Sequence, residues 1–134
     1  MIAVVPKHHE LTAPATGQSV RRLRAQAAEL ASELGAGPDT VESVRLAVNE
    51  ALANVANHAY GGREGVIEME LDLAGDELRI VVRDHGRGMG HSSSSEGAGY
   101  GLLIIERSAA RSTIQSTPGR GTEVIMVFRV RRAT

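Results

Sequence analysis

Three short groups of residues carry the types and spacings from which chemistry can be built. In the segment Glu50-Ala-Leu-Ala-Asn54-Val-Ala-Asn57-His58-Ala-Tyr60, Glu50, Asn54 and His58 stand at i, i+4 and i+8 and form one polar row on a helix. A carboxylate and a carboxamide one turn apart can address a single ligand together. The Asn54 carbonyl oxygen is a neutral, hard donor suited to Mg²⁺, which retains waters and takes further oxygens from phosphates. The Glu50 carboxylate can orient or deprotonate a hydroxyl near a terminal phosphate. Taken alone, the trio also reads as a solvated helix face.

The second group is Asp84-His85-Gly86-Arg87-Gly88, directly after the apolar run Leu78–Arg83. An Asp at a strand end followed by alternating glycines presents a carboxylate over unobstructed backbone. It can accept a hydrogen bond from an exocyclic amine such as that of adenine, although an ordinary turn uses the same residues. The third group, Gly97-Ala98-Gly99-Tyr100-Gly101-Leu102, opens a helix whose first N–H groups can receive phosphate. A Ser-rich loop precedes it instead of a strand, which argues against a dinucleotide fingerprint, and no Gly-Lys-Ser/Thr follows, which excludes a Walker loop. A mobile lid over phosphates suits this stretch better.

The elements that must hold these groups are legible in the periodicity. Residues 2–5 suggest a short edge strand that can extend to Leu11. Val20, Leu23, Ala27, Leu30 and Leu34 recur by three and four and predict a helix from Gly17 to Leu34, closed by Gly35 and Gly37. A second helix is expected from Asp39, with Glu42 completing a capping box, to about Tyr60. Its apolar stripe is Val41, Val44, Val48, Ala51, Leu52 and Val55.

The period then becomes two. Val66, Glu68, Glu70 and Asp72 share one strand face and Ile67, Met69, Leu71 and Leu73 the other, and Ala74-Gly75-Asp76 turns into a second strand ending at Asp84. Residues 85–101 read as a loop, a helix is expected from Gly101 to Ala110, and strands over 112–117 and 123–131 follow. The order β-α-α-β-β-α-β-β places helices on one face of a largely antiparallel sheet, an α+β arrangement.

Composition bounds the partners. A chain of 134 residues, 42% hydrophobic and 23% charged, suits one globular domain spanning 1–134. A net charge of -1 supplies no global attraction to nucleic acid or to an anionic membrane. The absence of cysteine removes disulfides and thiolate chemistry, and no apolar run is long enough to cross a bilayer. The start, with a charge soon after its short apolar run, does not read as a signal peptide, so the expected location is the cytoplasm. Arg21, Arg22 and Arg24, and Arg129, Arg131 and Arg132, read either as solvated faces or as docking surfaces for an acidic partner.

Glu-x-x-x-Asn on a helix, Asp-x-Gly-x-Gly after a strand, Gly-x-Gly-Tyr-Gly-Leu, then Gly121-Thr122 before a last strand: this series resembles the ATP-binding fold shared by gyrases, heat-shock chaperones, MutL proteins and histidine kinases. Within that superfamily the chain is similar, over about residues 16–130, to the anti-sigma-factor serine kinases of bacteria. The most specific part is Asn49-Glu50-Ala51-Leu52-x-Asn54-x-x-x-His58-Ala59-Tyr60, a pattern that histidine kinases lack. The resemblance implies a two-layer α/β sandwich, its mixed, mostly antiparallel sheet covered on one face by about three helices, with the nucleotide between the layers.

By that resemblance Asn54 ligates Mg²⁺, Glu50 is the general base, and Asp84 binds the adenine amine in a pocket shaped by Gly86 and Gly88. Gly99 and Gly101 approach the phosphates, and Thr122 supports the adenine end through its hydroxyl or a water. His58 has two readings, a ligand contact or a helix-capping and packing role. The implied activity is transfer of the γ-phosphate of ATP to a serine of an anti-anti-sigma (STAS-type) protein, with sequestration of a sigma factor by partner switching. Homodimers are common in the family.

Two alternatives stand beside it: an anti-sigma module that binds ATP without transferring phosphate, and a detached histidine-kinase catalytic domain. Kinase-active relatives usually carry a basic residue in the lid before the glycine box, whereas here no Lys or Arg lies between Gly88 and Gly101. Arg87 is the nearest candidate.

Overall fold

The computed structural model describes residues 8–88 and 95–130, and over 95–100 the backbone alone. Strand β1 spans His8–Pro14, helix α1 Gly17–Glu33 and helix α2 Pro38–Asn54, which continues into a π-helical turn at Val55–Ala59. Strands β2 (Val66–Ala74) and β3 (Glu77–Arg83), helix α3 (Ser95–Ser108), and strands β4 (Arg111–Thr117) and β5 (Gly121–Arg129) follow. The sheet runs β1-β2-β3-β5-β4 with every described pairing antiparallel.

One apolar face per element builds the core. On β2 and β3, Ile67, Met69, Leu71, Leu78, Ile80 and Val82 point at the helices, and Met126 and Phe128 of β5 join them. From above, α1 contributes Leu23, Ala27, Leu30 and Ala31, and α2 contributes Val44, Ala47, Val48, Ala51 and Leu52. With aromatics at 2% of the chain, packing rests on interdigitated aliphatic side chains, and alanines on the facing helices allow close approach. On the opposite face Arg83 gathers Glu123 (2.8 Å), Glu70 (3.3 Å) and Glu68 (3.4 Å) across three strands.

Four boundaries differ from the periodicity. Strand β1 is centred later than residues 2–5, which lie outside the described residues, and it runs past Leu11 to Pro14. Proline is tolerated there because β1 is an edge strand. Helix α2 opens with Gly37 as N-cap and Pro38 in the first turn, so Asp39 is not the cap. Proline at the first helical position gives up only an N–H that has no partner anyway. The last turn of the expected second helix widens into the π form. Finally, α3 begins at Ser95, six residues ahead of the expected start at Gly101, so most of the supposed loop after residue 94 is helical. Glycine weakens a helix by about 1 kcal/mol per residue, and here packing of α3 on α2 offsets it.

Candidate functional site

Asp84 follows the end of β3, and the ladder to β5 continues through it. The Asp84 N–H donates to the Thr122 carbonyl at 3.0 Å. Its Oδ1 accepts from the N–H of Gly86 (2.9 Å) and of Thr122 (3.2 Å). Oδ2 has no partner among the described residues, although the residue as a whole is only 6% exposed. Burial pushes the carboxyl above its ordinary value, against the opposing pull of the two backbone N–H groups and of His85. A buried carboxylate with one oxygen held by backbone and the other open is a fixed acceptor for a donor that arrives from outside.

The loop that carries it is clasped from two sides. The Arg87 N–H donates to the Ala59 carbonyl (2.9 Å), and Gly119 N–H to the Arg87 carbonyl (2.9 Å). Arg87 Nε donates to the His58 carbonyl at 3.1 Å, placing its charge at the carbonyl end of the π turn. Arg87 therefore fastens the loop in this arrangement, and the His58 ring is exposed while its backbone does the fastening.

Three glycines make the fit possible. A Cβ on Gly86 would overlap the Ala59 carbonyl, and one on Gly121 would overlap the Asp84 carbonyl. Gly88 has φ +80 and lies so close to Thr117 that a Cβ would sit 2.7 Å from its carbonyl oxygen. Gly86→Ala is expected to lower stability by about 2 kcal/mol through overpacking. Thermal unfolding of the nucleotide-free protein checks this, and an unchanged midpoint would mean that the loop can move away without loss.

Glu50 and Asn54 stand one turn apart on α2, both partly exposed and neither hydrogen-bonded among the described residues. They converge on Gly101 of α3. A Cβ there would lie 3.0 Å from Glu50 Oε2 and 3.6 and 3.7 Å from the Asn54 amide nitrogen and oxygen. Gly101 and Gly99 lie beyond the first four residues of α3, whose N–H groups are the unpaired ones, so in this arrangement Gly101 serves close approach to the Glu50–Asn54 pair. The Thr122 side-chain hydroxyl is within 3.0 Å of the Ser116 hydroxyl, and it is the Thr122 backbone that meets Asp84. The expected lid over residues 89–94 lies outside the described residues.

The donor set suits Mg²⁺ carried by a phosphate: a carboxamide oxygen with a carboxylate one turn away, and among the described residues no cluster of three or more His, Asp or Glu that would cage an ion by itself. Tyr60 is the residue that sequence reasoning missed. Its hydroxyl accepts from the His85 N–H (3.0 Å) and donates to the Val66 carbonyl (2.6 Å). Its signal was its place as the last residue of the Asn49–Tyr60 pattern, to which no role was attached.

The fold is a two-layer sandwich with a carboxylate–carboxamide pair on α2 and a buried Asp following the central strand. Residues 13–128 match the model of the histidine kinase-like ATPase domain, and the chain belongs to that family. It is 28% identical over 114 residues to an anti-sigma F factor of Clostridium kluyveri, covering 77% of this chain and 80% of the relative. It is 27% identical over 128 residues to a serine-protein kinase RsbW of Staphylococcus aureus, covering 82% and 80%. The solved structure of the RsbU and RsbW domains of a Mycobacterium tuberculosis protein matches with a TM-score of 0.77 at 27% identity, over 97% of this chain. The chain spans 33% of that longer chain. The expected α+β sandwich of the histidine-kinase-like ATPase class is thereby borne out.

Proposed function

We propose that this protein is an anti-sigma regulator that binds Mg·ATP and transfers the γ-phosphate to a serine of an anti-anti-sigma protein of the STAS type. The observation that carries the reading is the pairing of Glu50 and Asn54 on one helix, facing Gly101, together with the buried Asp84 whose Oδ1 alone is held by backbone. Asp84 Oδ2 accepts from the exocyclic amine of adenine, and Gly86 and Gly88 keep the loop close enough for the base to lie against it. Asn54 Oδ1 offers the metal one neutral oxygen. Bound magnesium supplies charge compensation on the phosphates. Glu50 takes the proton of the acceptor serine hydroxyl as the Oγ–P bond forms, and the bond from the γ-phosphorus to the bridging oxygen breaks with ADP leaving.

The regulatory consequence follows from charge. A phosphoserine adds close to two negative charges at the contact with the antagonist, weakening that complex and leaving this protein available to a sigma factor. Among the described residues no helix is long and apolar enough to cross a membrane; a cytoplasmic location belongs to the proposed role as a sigma-factor regulator. Homodimerisation and the absence of direct nucleic-acid contact belong to the same reading.

The experiment is incubation of the protein with γ-labelled ATP, Mg²⁺ and a cognate STAS protein. Acid-stable label on the STAS protein is expected. ATP binding without label transfer would leave the second reading, a nucleotide-holding antagonist, which the lack of Lys or Arg between Gly88 and Gly101 favours. Acid-labile label on a histidine would point to a histidine-kinase domain.

A further inference from the structure

Pairing between β2 and β3 is recorded up to Glu68 opposite Arg83. Two more steps of the same register would set Val66 against His85. These two backbones do not bond directly. The Tyr60 hydroxyl stands between them, accepting from the His85 N–H and donating to the Val66 carbonyl. A single ladder bond spans about 2.9 Å, and two bonds in series through an oxygen hold the strand ends farther apart. The ring that carries this oxygen is fixed from below, since it lies against Gly65 so closely that a Cβ there would overlap it.

His85 is the residue after Asp84, so the point at which its amide is held sets where the Asp84 carboxylate lies. The chain on the other side of Asp84 is fixed by the ladder to Thr122. The carboxylate thus sits on a backbone stretch pinned at both ends, one pin being a side chain delivered by the π turn that continues α2. Chains of hydrogen bonds in which each group both donates and accepts reinforce one another, and a phenol in the middle of such a chain is hard to replace by water with the same geometry.

We propose that Tyr60 is a positioning residue for base recognition: its hydroxyl, wedged between the ends of β2 and β3, sets the Asp84 carboxylate where it distinguishes a 6-aminopurine from a 6-oxopurine. The inference rests on the reading of Asp84 as the acceptor for the adenine amine. It concerns a residue that acts through the His85 amide, and it connects the helix carrying Glu50 and Asn54 to the loop that reads the base.

The test uses Tyr60→Phe, which keeps the ring on Gly65 and removes the oxygen. Affinities for ATP and inosine triphosphate are measured by calorimetry on the full chain, with the unfolding midpoint alongside. ATP affinity is expected to fall about tenfold and the preference for ATP over inosine triphosphate to shrink, with little change in the unfolding midpoint. Gly65→Ala, which displaces the ring, is expected to narrow the same preference.

Should both variants keep the wild-type preference, even with weaker overall binding or a lower midpoint, Tyr60 is merely structural and the inference is overturned. Asp84→Asn separates the two layers of the argument. If it abolishes the preference while the Tyr60 and Gly65 variants keep it, only the role of Tyr60 falls. If it leaves the preference intact, the reading of Asp84 falls, and the role of Tyr60 with it.

Discussion

Replacing Glu50 with glutamine is expected to slow phosphoryl transfer to the acceptor serine by roughly 10²–10⁴-fold while leaving ATP affinity nearly unchanged. Glutamine keeps the length and shape of the side chain beside Gly101, where a carboxylate oxygen already lies 3.0 Å from the place a Cβ would take. It therefore leaves the packing of α3 on α2 in place, together with Asn54 one turn further along. What it removes is the ability to take a proton from the incoming hydroxyl. Phosphoryl transfer relies mostly on positioning and electrostatics, so the effect belongs in the rate of a single turnover and not in binding. Calorimetry with Mg·ATP and a single-turnover transfer assay separate the two. Transfer at the wild-type rate would remove Glu50 from the chemistry.

For Asp84→Asn the expected result is the converse: about a 100-fold loss of ATP affinity in a protein at least as stable as the wild type. The asparagine oxygen can keep the N–H groups of Gly86 and Thr122, now bound at 2.9 and 3.2 Å. Its NH₂ then occupies the place of Oδ2 and meets the adenine amine donor to donor. A hydrogen bond to a charged group contributes about 1.5–3 kcal/mol, and an opposed donor adds to that loss.

The stability half follows from the sign of the pKa shift. Burial raises the Asp84 carboxyl above its unfolded value of 3.8. A carboxyl raised in the folded state contributes stability that is fully present below its unfolded pKa and is lost as pH rises through the folded pKa. At neutral pH the ionised Asp84 therefore weighs against the fold. The neutral variant is expected to unfold at an equal or higher temperature at pH 7, with its advantage shrinking as pH falls toward 3.8. Unfolding curves without nucleotide, taken over that range, measure it. A substantially less stable variant would mean that the carboxylate holds the loop by more than its two backbone bonds.

Much of the architecture was readable because it is local. The stripe Val44, Val48, Ala51, Leu52 and Val55 is buried as its spacing requires, and the alternation of Ile67, Met69 and Leu71 with Glu68, Glu70 and Asp72 assigns the two sheet faces. Gly35 adopts φ +100 where α1 ends, as a left-handed cap demands. The start of α3 was misread because Gly97, Gly99 and Gly101 are loop residues by composition, and only contact with α2 makes a helix there worthwhile. The role of Tyr60 was invisible for a related reason. Its partners, Val66 and His85, become its neighbours only once β2 and β3 are paired.

Residue types and periods along the chain determined which elements form, which face of each is buried, and which side chains can hold a metal, a proton or an amine. Tertiary structure alone decided that Asp84 pairs with Thr122 across the sheet, that Arg87 fastens a loop and that Gly101 lies over Glu50. The division is physical. A helical or strand period is set by neighbours two to four residues away, whereas the meeting of residues tens of positions apart depends on strand register and on clearances that no single segment encodes.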